Sequence, residues 1–575
     1  MASTLMLAAL AFAGLGAGAT CLEKTQVIPQ GWKQLDEAIK PSQPMRMSFA
    51  LRQPKMDALE PLLTRDVRLT GHQVSALREP HQEDVDSVMA WLHGHGIEAA
   101  ETDKDWVHVS TTVDKAEKML DMKMHRFSFQ GRPAVLRTRE YSIPDALAEA
   151  VDFVHPISNF MTPTHEFASL RPMPKAEKRA DCSSVTTPEC IKKQYNIKST
   201  AGDESKVRFG VAGFLEEFAN YQDTFDFFKS NAPELLPKQY NFSVDLVNNG
   251  KNLQDRNRAG PEANLDIQYA MAIGYPTAVK YFSTAGRGVQ LNDSGVEVPV
   301  ERSTNEPYLE LLEYLLGLPD DKVPHVLSIS YADDELSVPK PYAERVCKLF
   351  GALACRGTTV LVGSGDGGAA GGRESSCRTN DGSNKEITMA TFPGTCPWLT
   401  VVGATDNTHN PPHGAYFSTG GFSQWFPRPE WQNEAVEGYV KALDGHLKGY
   451  YDASKRAIPD ISAVGTTFQV VLRGQNVMLD GTSASTPIMA AMIALVNDVR
   501  LKKGMPSLGW INSKLYSNQV RSVLRDTTGG QSMSCVFAGG KEPGGWPAKK
   551  GWDAITGLGT PGNFEDFVSA LVDLK

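Results

Sequence analysis

The stretch that decides most about this fold reads Asp480-Gly481-Thr482-Ser483-Ala484-Ser485-Thr486-Pro487, and the apolar, alanine-rich run 488–496 follows it. A turn of small residues that leads into an apolar helix places a serine beside the free backbone N–H groups of the helix start. Hydrolytic α/β enzymes expose a nucleophile in this way, so Ser483 is the candidate nucleophile. No histidine lies close to Ser483 in the sequence, and its general base must therefore come from elsewhere in the chain.

Short apolar runs alternate with helical patterns around this stretch, from about residue 180 to residue 575. The pattern predicts a largely parallel sheet with helices on both faces, which is an α/β domain. In such sheets, functional side chains gather at the carboxyl ends of the strands. The predicted strands are 207–214, 325–331, 358–362, 399–402 and 468–472, and the predicted helices are 262–273, 341–353 and 485–499.

A separate unit precedes this domain, because 575 residues are too many for one hydrophobic core. It covers about residues 21–170 and mixes strand-like with helix-like pieces, which indicates a small α+β domain. The proline-rich, charged stretch 171–179 then ends in Lys178-Arg179, which suits either a solvated linker or a processing site. The predicted strands of the first unit are 45–51 and 106–110, and its predicted helices are 82–93 and 113–120.

The amino terminus has the pattern of a signal peptide. Residues 5–19 form an apolar run that ends in Ala17-Gly18-Ala19, a small-residue cleavage pattern, so we predict a signal peptide over residues 1–19. No later segment reaches about 18 consecutive apolar residues, the length that a membrane-spanning helix needs, so no membrane span is expected.

Net charge and cysteine content indicate which partners and which cellular compartment suit the protein. A net charge of −9 and a pI of about 5.8 argue against a nucleic-acid-binding surface. The eight cysteines form no CxxC metal pair, and after a signal peptide they are expected to form disulfides. Cys182 and Cys190 are near enough to close a short loop, while the other pairings stay open. Asn241 and Asn292 begin sequons that a secretory compartment can glycosylate.

Two carboxylates lie on one face of a predicted helix. Glu262 and Asp266 are four residues apart, and Pro261 suits the first helical turn. Like charges at this spacing repel, so the pair lowers stability unless it is used in chemistry or shares a proton. Taken alone, the pair is also typical of an acidic first helical turn, because carboxylates favour helix N-termini.

A third carboxylate lies in a glycine-rich loop. Asp366 is at the centre of the sequence Ser-Gly-Asp-Gly-Gly at 364–368, directly after a predicted strand. Glycine permits close backbone approach and a positive φ in such a loop, which suits a functional site. An aspartate that only makes a turn is the simpler interpretation of this loop taken alone. The aspartate of a comparable stretch, Asp460, is expected to be structural.

These stretches together resemble the sedolisin family of serine-carboxyl peptidases. They occur in the family's order across essentially the whole second unit, and the first unit resembles the family's propeptide, including Val88-Met89-Ala90-Trp91-Leu92. The matching motifs of the second unit are Glu262-Ala263-Asn264-Leu265-Asp266, Ser364-Gly365-Asp366, Val402-Gly403-Ala404-Thr405, Gly420-Gly421-Phe422-Ser423, Pro459-Asp460-Ile461-Ser462-Ala463, Gly481-Thr482-Ser483-Ala484-Ser485-Thr486-Pro487 and Gly551-Trp552-Asp553.

The resemblance implies a subtilisin-like fold and a role for each candidate residue. Ser483 would be the nucleophile, with Glu262 as its general base and Asp266 orienting Glu262. Asp366 would occupy the oxyanion site and donate a hydrogen bond when it is protonated. These roles agree with acid operation: a histidine with a pKa of about 6.5 is protonated at about pH 4, whereas a glutamate with a pKa of about 4.3 still accepts a proton.

The resemblance also implies one structural Ca²⁺ ion near the carboxyl terminus, an ion that prefers hard oxygen ligands. Its side-chain ligands would be Asp526 and Asp553, and its backbone carbonyl ligands would be Thr527, Lys549 and Gly551. Lys549 stands where glycine is common in the family, and its ammonium group would weaken the affinity. Thr527 replaces a usual aliphatic residue, which a backbone ligand tolerates.

Family members differ in specificity, since some cleave internally and others remove tripeptides from free N-termini. The segment Tyr331-Ala332-Asp333-Asp334-Glu335 resembles the acidic segment of the tripeptidyl type. An acidic cluster near the cleft would hold a substrate's α-ammonium group, while a solvated acidic loop is the alternative. We expect a tripeptidyl-peptidase, and a broad-specificity acid endopeptidase is the alternative function.

The resemblance also fixes the expected domain limits and partners. Residues 1–19 would be the signal peptide, 20–179 a propeptide that inhibits its own enzyme, and 180–575 the peptidase domain. Peptides and proteins would be the substrates of a monomeric enzyme, with neither nucleic acid nor a membrane span involved. The expected location is extracellular, and an acidic vacuole is the alternative.

Overall fold

The computed structural model describes residues 18–24, 32–129, 135–155, 157–158, 170–172, 181–198, 202, 204–288, 303, 305–372 and 377–573. The chain divides into two compact units. The first consists of Met1–Lys55 and Arg78–Phe160, and the second of Met56–Leu77 and Met161–Lys575. The predicted signal peptide up to residue 17, the pair Lys178-Arg179 and the sequon at Asn292 lie outside the described residues.

The first unit is a small α+β domain, as the sequence predicts. Its four-stranded antiparallel sheet has the order Ala100–Asp103, Trp106–Thr112, Pro44–Leu51 and Val151–His155. Helix Gln82–Gly94 contributes Val88 and Leu92 to the core of this unit. The unit also contains the strands Ala19–Lys24, Trp32–Leu35, Met124–Phe129, Val135–Thr138 and Glu140–Pro144 and the helix Val113–Met119.

A central parallel sheet organises the second unit, which confirms the predicted α/β class. Its strands are β1 (Arg208–Gly213), β2 (Ser243–Val247), β3 (Ala278–Thr284), β4 (Val326–Ile329), β5 (Thr359–Gly363), β6 (Thr400–Asp406), β7 (His413–Gly414) and β8 (Ile461–Val464). The order is β2-β3-β1-β4-β5-β6, and β6 also pairs with β7 and β8. The short strand β7 is antiparallel to β6, and the other pairings are parallel.

Helices cover both faces of this sheet. Helices α1 (Pro261–Gly274) and α3 (Thr482–Lys502) pack in one core, and α2 (Lys340–Cys355) packs in a second. Alternate residues of β5 separate the two cores, because Leu361 joins the first while Val360 and Val362 join the second. Both faces of the sheet are therefore buried, as continuous apolar strands require.

Smaller elements surround the sheet. The predicted strand Phe468–Leu472 forms, but it pairs antiparallel with Gln475–Leu479, which in turn pairs with Leu170–Pro172. Further strand pairs are Asp333–Asp334 with Thr391–Phe392, Gly421–Pro427 with Lys455–Ile458, and Leu524–Arg525 with Thr560–Pro561. Further helices are Leu59–Thr64, Gly71–Arg78, Pro188–Gln194, Tyr221–Asn231, Tyr308–Gly317, Asn433–Ala442, Asn512–Leu515, Asn518–Arg521 and Phe564–Val572.

The segment Met56–Leu77 packs with the second unit although the sequence assigns it to the first. Leu59 and Leu63 lie in the core that contains α2. The Arg68 guanidinium donates hydrogen bonds of 2.9 and 2.7 Å to the carbonyl oxygens of Ser507 and Leu508. The sequence pattern could not reveal this placement, because an amphipathic helix does not specify which apolar surface covers it.

Three disulfides form, including the predicted bond between Cys182 and Cys190. The other two join Cys347 to Cys396 and Cys377 to Cys535. Cys21 and Cys355 are free thiols, so the expectation of disulfides fails for these two. Cys355 is buried at the end of α2, and removal from water raises the pKa of its thiol to about 11. Among the described residues, no helix combines the length and apolarity that a membrane crossing requires.

Candidate active site

Three neighbouring strands of the central sheet end at the candidate site. Glu217 follows β1, Ser330 follows β4 and Asp366 follows β5. Because these strands are parallel and adjacent, their carboxyl ends meet at one edge of the sheet. Helix α3 begins at the same edge, since the Ser483 hydroxyl lies 3.4 Å from the Ser330 carbonyl oxygen.

Ser483 is the second residue of helix α3 and is partly exposed. The turn at 480–482 therefore delivers the serine to a helix start, as the sequence predicts. The Ser483 hydroxyl also acts on the Glu262 carboxyl and partly lowers its pKa, so the two side chains are neighbours. The structure thus brings the candidate nucleophile and the candidate base together, although they are far apart in the sequence.

Glu262 and Asp266 lie one turn apart on helix α1, on the face that meets α3. Asp266 is fully buried, and its Oδ1 accepts a hydrogen bond of 2.8 Å from the Ser330 hydroxyl. Within the described part of the chain, Glu262 Oε1 and Asp266 Oδ2 are buried without a hydrogen-bond partner. Burial raises the pKa of both carboxyls well above the ordinary values, and the charge of Asp266 raises that of Glu262 further. The pair therefore holds a proton more readily than free carboxylates do.

Asp366 lies directly beside the nucleophile turn. Its Oδ1 accepts hydrogen bonds of 2.8 Å from the Thr482 backbone N–H and 3.0 Å from the Thr482 hydroxyl. Gly365 before it has a φ of 100°, a conformation that disfavours a side chain. The loop therefore holds the Asp366 carboxyl against Thr482, the residue that precedes Ser483. In acyl transfer by a serine, the oxyanion forms beside the nucleophile.

The four histidines between residues 181 and 573 make contacts with groups other than Ser483. His325 precedes β4, at the opposite edge of the sheet, and its Nδ1 accepts a hydrogen bond of 3.1 Å from the Arg208 N–H. His446 contacts a backbone carbonyl at 2.8 Å. His409 and His413 stack on each other, with ring centroids 4.2 Å apart. A serine–histidine mechanism has no support in this geometry.

The acidic segment after β4 divides into two parts. Glu335 serves the fold, because its carboxyl accepts hydrogen bonds from the Ser423 hydroxyl, at 2.6 Å, and from the Gln424 N–H. Asp333 instead neighbours the buried carboxyl of Glu306, and each carboxyl affects the pKa of the other. Burial and this neighbour raise the pKa of Asp333 well above its ordinary value. Among the described residues, its Oδ2 is buried without a hydrogen-bond partner.

The residues expected to hold Ca²⁺ lie together near the carboxyl terminus. Asp526 Oδ2 accepts a hydrogen bond of 2.8 Å from the Gly551 N–H, which joins this carboxylate to the loop 549–553. The buried Asp553 carboxyl accepts backbone hydrogen bonds from Lys549 and from the turn that follows it, and burial raises its pKa to about 7. Thr527 is buried beside Asp526. Two carboxylates and the carbonyl groups of these loops are a donor set that fits a hard cation.

Two further aspartates are structural. Asp460 forms a fully buried ion pair with Arg456 at 2.7 Å, which agrees with the structural role expected for it. Asp480, in the nucleophile turn, accepts a hydrogen bond of 2.6 Å from the Thr467 N–H and forms an ion pair with Arg171. Both contacts hold the Asp480 carboxylate against neighbouring backbone and side-chain groups.

Sequence reasoning missed three residues of the site. Glu217, Ser330 and Thr482 contact the candidate residues, and none was singled out from the sequence. A signal existed for two of them, since Ser330 lies at the carboxyl end of a predicted strand and Glu217 lies just beyond one. Thr482 carries no such signal, because its role depends on the folded position of Asp366.

Comparisons with known proteins agree with this fold and its order of domains. The activation domain of pro-kumamolisin matches residues 30–160, and the subtilase family matches residues 295–559. Fold and matches together define a subtilisin-like peptidase preceded by an activation domain.

Relatives match along almost the whole chain. The chain is 36% identical over 580 residues to tripeptidyl-peptidase SED3 of Arthroderma otae, covering 96% of this chain and 95% of that protein. It is 36% identical over 602 residues to tripeptidyl-peptidase sed4 of Aspergillus fumigatus, covering 97% and 98%. A solved Pseudomonas sedolisin, a serine-carboxyl proteinase, aligns with a TM-score of 0.48 and 18% identity over 68% of this chain and 98% of that chain. The chain belongs to the sedolisin family, and it is a serine-carboxyl peptidase.

Proposed function

We propose that this protein is a secreted zymogen of an acid peptidase that releases tripeptides from free N-termini. In this proposal Ser483 is the nucleophile, Glu262 is its general base and Asp266 orients Glu262. The observation that carries the proposal is that Ser330 contacts both partners: its hydroxyl donates to Asp266 at 2.8 Å, and its carbonyl oxygen accepts from the Ser483 hydroxyl at 3.4 Å, next to the buried Glu262 carboxyl. A carboxylate base still accepts a proton under conditions in which a histidine is already protonated.

The chemistry begins with proton transfer from Ser483 to Glu262. The Ser483 Oγ forms a bond to the scissile carbonyl carbon, its proton moves to the Glu262 carboxylate, and the C=O electron pair becomes an oxyanion. Collapse of this intermediate breaks the C–N bond, and the proton on Glu262 passes to the leaving amine. A water molecule then repeats the sequence on the ester and releases the acid product.

Asp366 stabilises the oxyanion in this proposal. Two contacts with Thr482 hold the Asp366 carboxyl beside Ser483, and its protonated oxygen donates to the oxyanion. The reaction therefore needs Glu262 ionised and Asp366 protonated at the same time. Activity falls at low pH as Glu262 gains a proton and at high pH as Asp366 loses one, which gives a bell-shaped pH dependence.

The exopeptidase specificity rests on Asp333 and Glu306. The relatives described above are named tripeptidyl-peptidases, and in this chain the half-buried Asp333 follows Ser330 closely and neighbours the buried carboxyl of Glu306. Asp333 is three residues after Ser330, a distance of at most about 10 Å along extended chain. A bound tripeptide has the same length. With its third carbonyl at Ser483, its α-ammonium group reaches the Asp333 carboxyl, and the positive charge favours the ionised form of this carboxyl, which then binds the ammonium group.

Replacing Asp333 with asparagine is expected to raise KM for peptides with a free N-terminus by roughly 10- to 100-fold, because a hydrogen bond to a charged group contributes about 1.5–3 kcal/mol. Mass spectrometry at acid pH, on peptides with free and acetylated N-termini, identifies the products. The native protein should release tripeptides only from free N-termini. Asp321→Asn, in the loop before β4, is the matched control and should retain the native KM. Cleavage of both peptide types at internal bonds would instead establish the endopeptidase alternative.

We propose that Asp526 and Asp553 hold Ca²⁺ through side-chain oxygens, and that Thr527, Lys549 and Gly551 hold it through backbone carbonyls. When bound, the ion neutralises two nearby carboxylates and joins the 526–527 and 549–553 loops. In this proposal the ion is structural and takes no part in the hydrolysis.

Chelation with EDTA is expected to lower the melting temperature by roughly 5 °C, because a ligand present at 100 times its Kd contributes about 2.7 kcal/mol to stability. Asp526 is the better site for a variant, since its side chain is exposed and its replacement leaves the core intact. Asp526→Asn should melt at the lower temperature without EDTA and show no further decrease with it. A variant that responds to EDTA as the native protein does would exclude this site.

We propose that residues 1–19 are a signal peptide, 20–179 an inhibitory propeptide and 180–575 the peptidase domain. The strand Leu170–Pro172 supports the inhibitory role, because it pairs with Gln475–Leu479, the strand that leads into the nucleophile turn. Arg171 and Asp480 form an ion pair at the same place. The three disulfides suit an oxidising, secretory route.

A further inference from the structure

A third carboxyl contacts the helix that carries the candidate base. Glu217 follows strand β1, and its Oε2 accepts hydrogen bonds from the backbone N–H groups of Glu262, at 3.1 Å, and Ala263, at 3.3 Å. These two N–H groups belong to the first turn of helix α1, where no preceding turn provides a carbonyl acceptor. Glu217 therefore anchors the start of the helix at the residue whose side chain is the candidate base.

The surrounding backbone is built around this carboxyl. Leu215 and Glu216 have φ values of 55° and 61°, an uncommon conformation for two successive residues with side chains. The Tyr281 hydroxyl donates a hydrogen bond of 2.8 Å to the Glu217 carbonyl oxygen and holds the turn in place. Gly260 provides the space, because a Cβ at that position would lie 1.8 Å from Glu217 Oε2. Strain at a turn of this kind persists only where the neighbouring contacts maintain it.

The groups that face Glu217 are mostly acidic. The charge of Glu217 raises the pKa of Glu262 and of Asp266 on helix α1. It also raises the pKa of the hydroxyls of Tyr281 on β3 and Tyr331 after β4. Arg473 is the positive group that acts on it. Burial raises the pKa of Glu217 to about 7, while the two backbone N–H groups and Arg473 act in the opposite direction.

We propose that Glu217 is a positioning residue that anchors the first turn of helix α1 and competes with Glu262 for negative charge, and that it thereby sets the lowest pH at which Ser483 is activated. The proposal rests on the proposed role of Glu262 as general base. A charge on Glu217 is stabilised by two N–H groups, and it repels a charge on Glu262. When Glu217 holds the charge, Glu262 keeps its proton and cannot accept that of Ser483.

Glu217→Gln separates the two parts of this role. The amide oxygen still accepts from the backbone N–H groups, but the side chain carries no charge. Since the Glu217 charge raises the pKa of Glu262, its removal lowers that pKa. The acid limb of the kcat/KM profile is expected to move to lower pH by roughly one unit, the scale of a neighbouring charge's effect. The melting temperature should change little, because the anchoring contact is kept.

Glu217→Asp tests the other part. The shorter side chain keeps the charge but cannot reach the N–H groups, so kcat should fall by roughly tenfold, the effect of a displaced catalytic group, while the acid limb does not move to lower pH. Glu216→Gln is the matched control, because Glu216 is exposed, precedes Glu217 directly and pairs with Arg287. Its pH profile should coincide with that of the native protein.

The experiment is a kcat/KM profile of the activated native protein and the three variants on one free N-terminal peptide, together with thermal melting of each. An acid limb of Glu217→Gln that coincides with the native one would overturn the charge competition. A native kcat in Glu217→Asp would overturn the anchoring role, and this test remains if Glu217→Gln fails to fold. Acid hydrolysis by the native protein and its loss in Ser483→Ala test the proposed function separately, so the two failures are distinguishable.

Discussion

Replacing Ser483 with alanine is expected to abolish peptide hydrolysis at acid pH and to lower kcat by about 10⁶-fold, the usual effect of removing a serine nucleophile. The turn that carries the serine should keep its structure, because the contact between the Thr482 N–H and Asp366 does not involve the Ser483 side chain. The melting temperature of the variant should therefore match that of the native protein. Release of tripeptides from a free N-terminal peptide, followed by mass spectrometry, measures the loss.

Ser485→Ala is the matched control for this prediction. Ser485 lies two residues beyond the nucleophile, is fully buried, and donates to the carbonyl oxygens of Ala463 and Val464 at 3.1 and 3.0 Å. Its loss should lower the free energy of unfolding by about 1 kcal/mol and leave kcat within about twofold. Hydrolysis by Ser483→Ala at more than about 1% of the native kcat would contradict the proposed nucleophile. No other side chain takes over the role of a catalytic serine hydroxyl once it is removed.

Much of the fold was predictable because its strands and helices carry strong periodicity. The apolar runs that became β1, β4, β5 and β6 are buried on both faces, so each stands out from the polar helix surfaces between them. The pairing of Phe468–Leu472 was not predictable. Its four apolar residues suit a central or a hairpin strand equally well, and the position of the strand depends on the turn to Gln475–Leu479.

The candidate site was predictable to the extent that its residues lie in short motifs. Ser483, Glu262, Asp266 and Asp366 are brought to one edge of the sheet, although the sequence separates the first two by more than 200 residues. Contacts that depend on the tertiary fold carried no such signal. Glu217 acts through backbone N–H groups of a helix 45 residues away, and a pattern of residue types does not specify that contact.

Sheet order explains why a carboxyl-based site is possible here. Strands β1, β4 and β5 place Glu217, Ser330 and Asp366 side by side, and helix α1 adds two further carboxyls to the same buried edge. Each ionisation in such a cluster makes the next one less favourable, because the charges are close and poorly solvated. The cluster therefore holds protons at a pH at which exposed carboxylates have lost them. In the proposed mechanism, a protonated Asp366 and an ionised Glu262 then coexist over a limited range of pH.

Replacing Asp366 with asparagine is expected to extend peptide hydrolysis to higher pH. The asparagine Oδ1 can still accept from the Thr482 N–H, while its amide N–H₂ donates to the oxyanion whatever the pH. The native enzyme loses this donor when Asp366 ionises, so the alkaline limb of the native profile should be absent or displaced upward in the variant. The acid limb should stay in place, because in this mechanism Asp366 is protonated and uncharged in the native enzyme at the pH at which Glu262 ionises.

Asp366→Ala is the comparison variant, and it separates a hydrogen-bond donor role of Asp366 from a purely structural one. Alanine removes the donor altogether, so kcat should fall by about 10²–10³-fold over the whole pH range. If Asp366 only made a turn, asparagine and alanine would weaken the loop and leave the shape of the pH profile unchanged. An alkaline limb of Asp366→Asn that coincides with the native limb would therefore exclude Asp366 as the pH-dependent donor. Because the two variants share the loss of charge and differ only in the donor, their kcat ratio measures what the hydrogen bond to the oxyanion contributes.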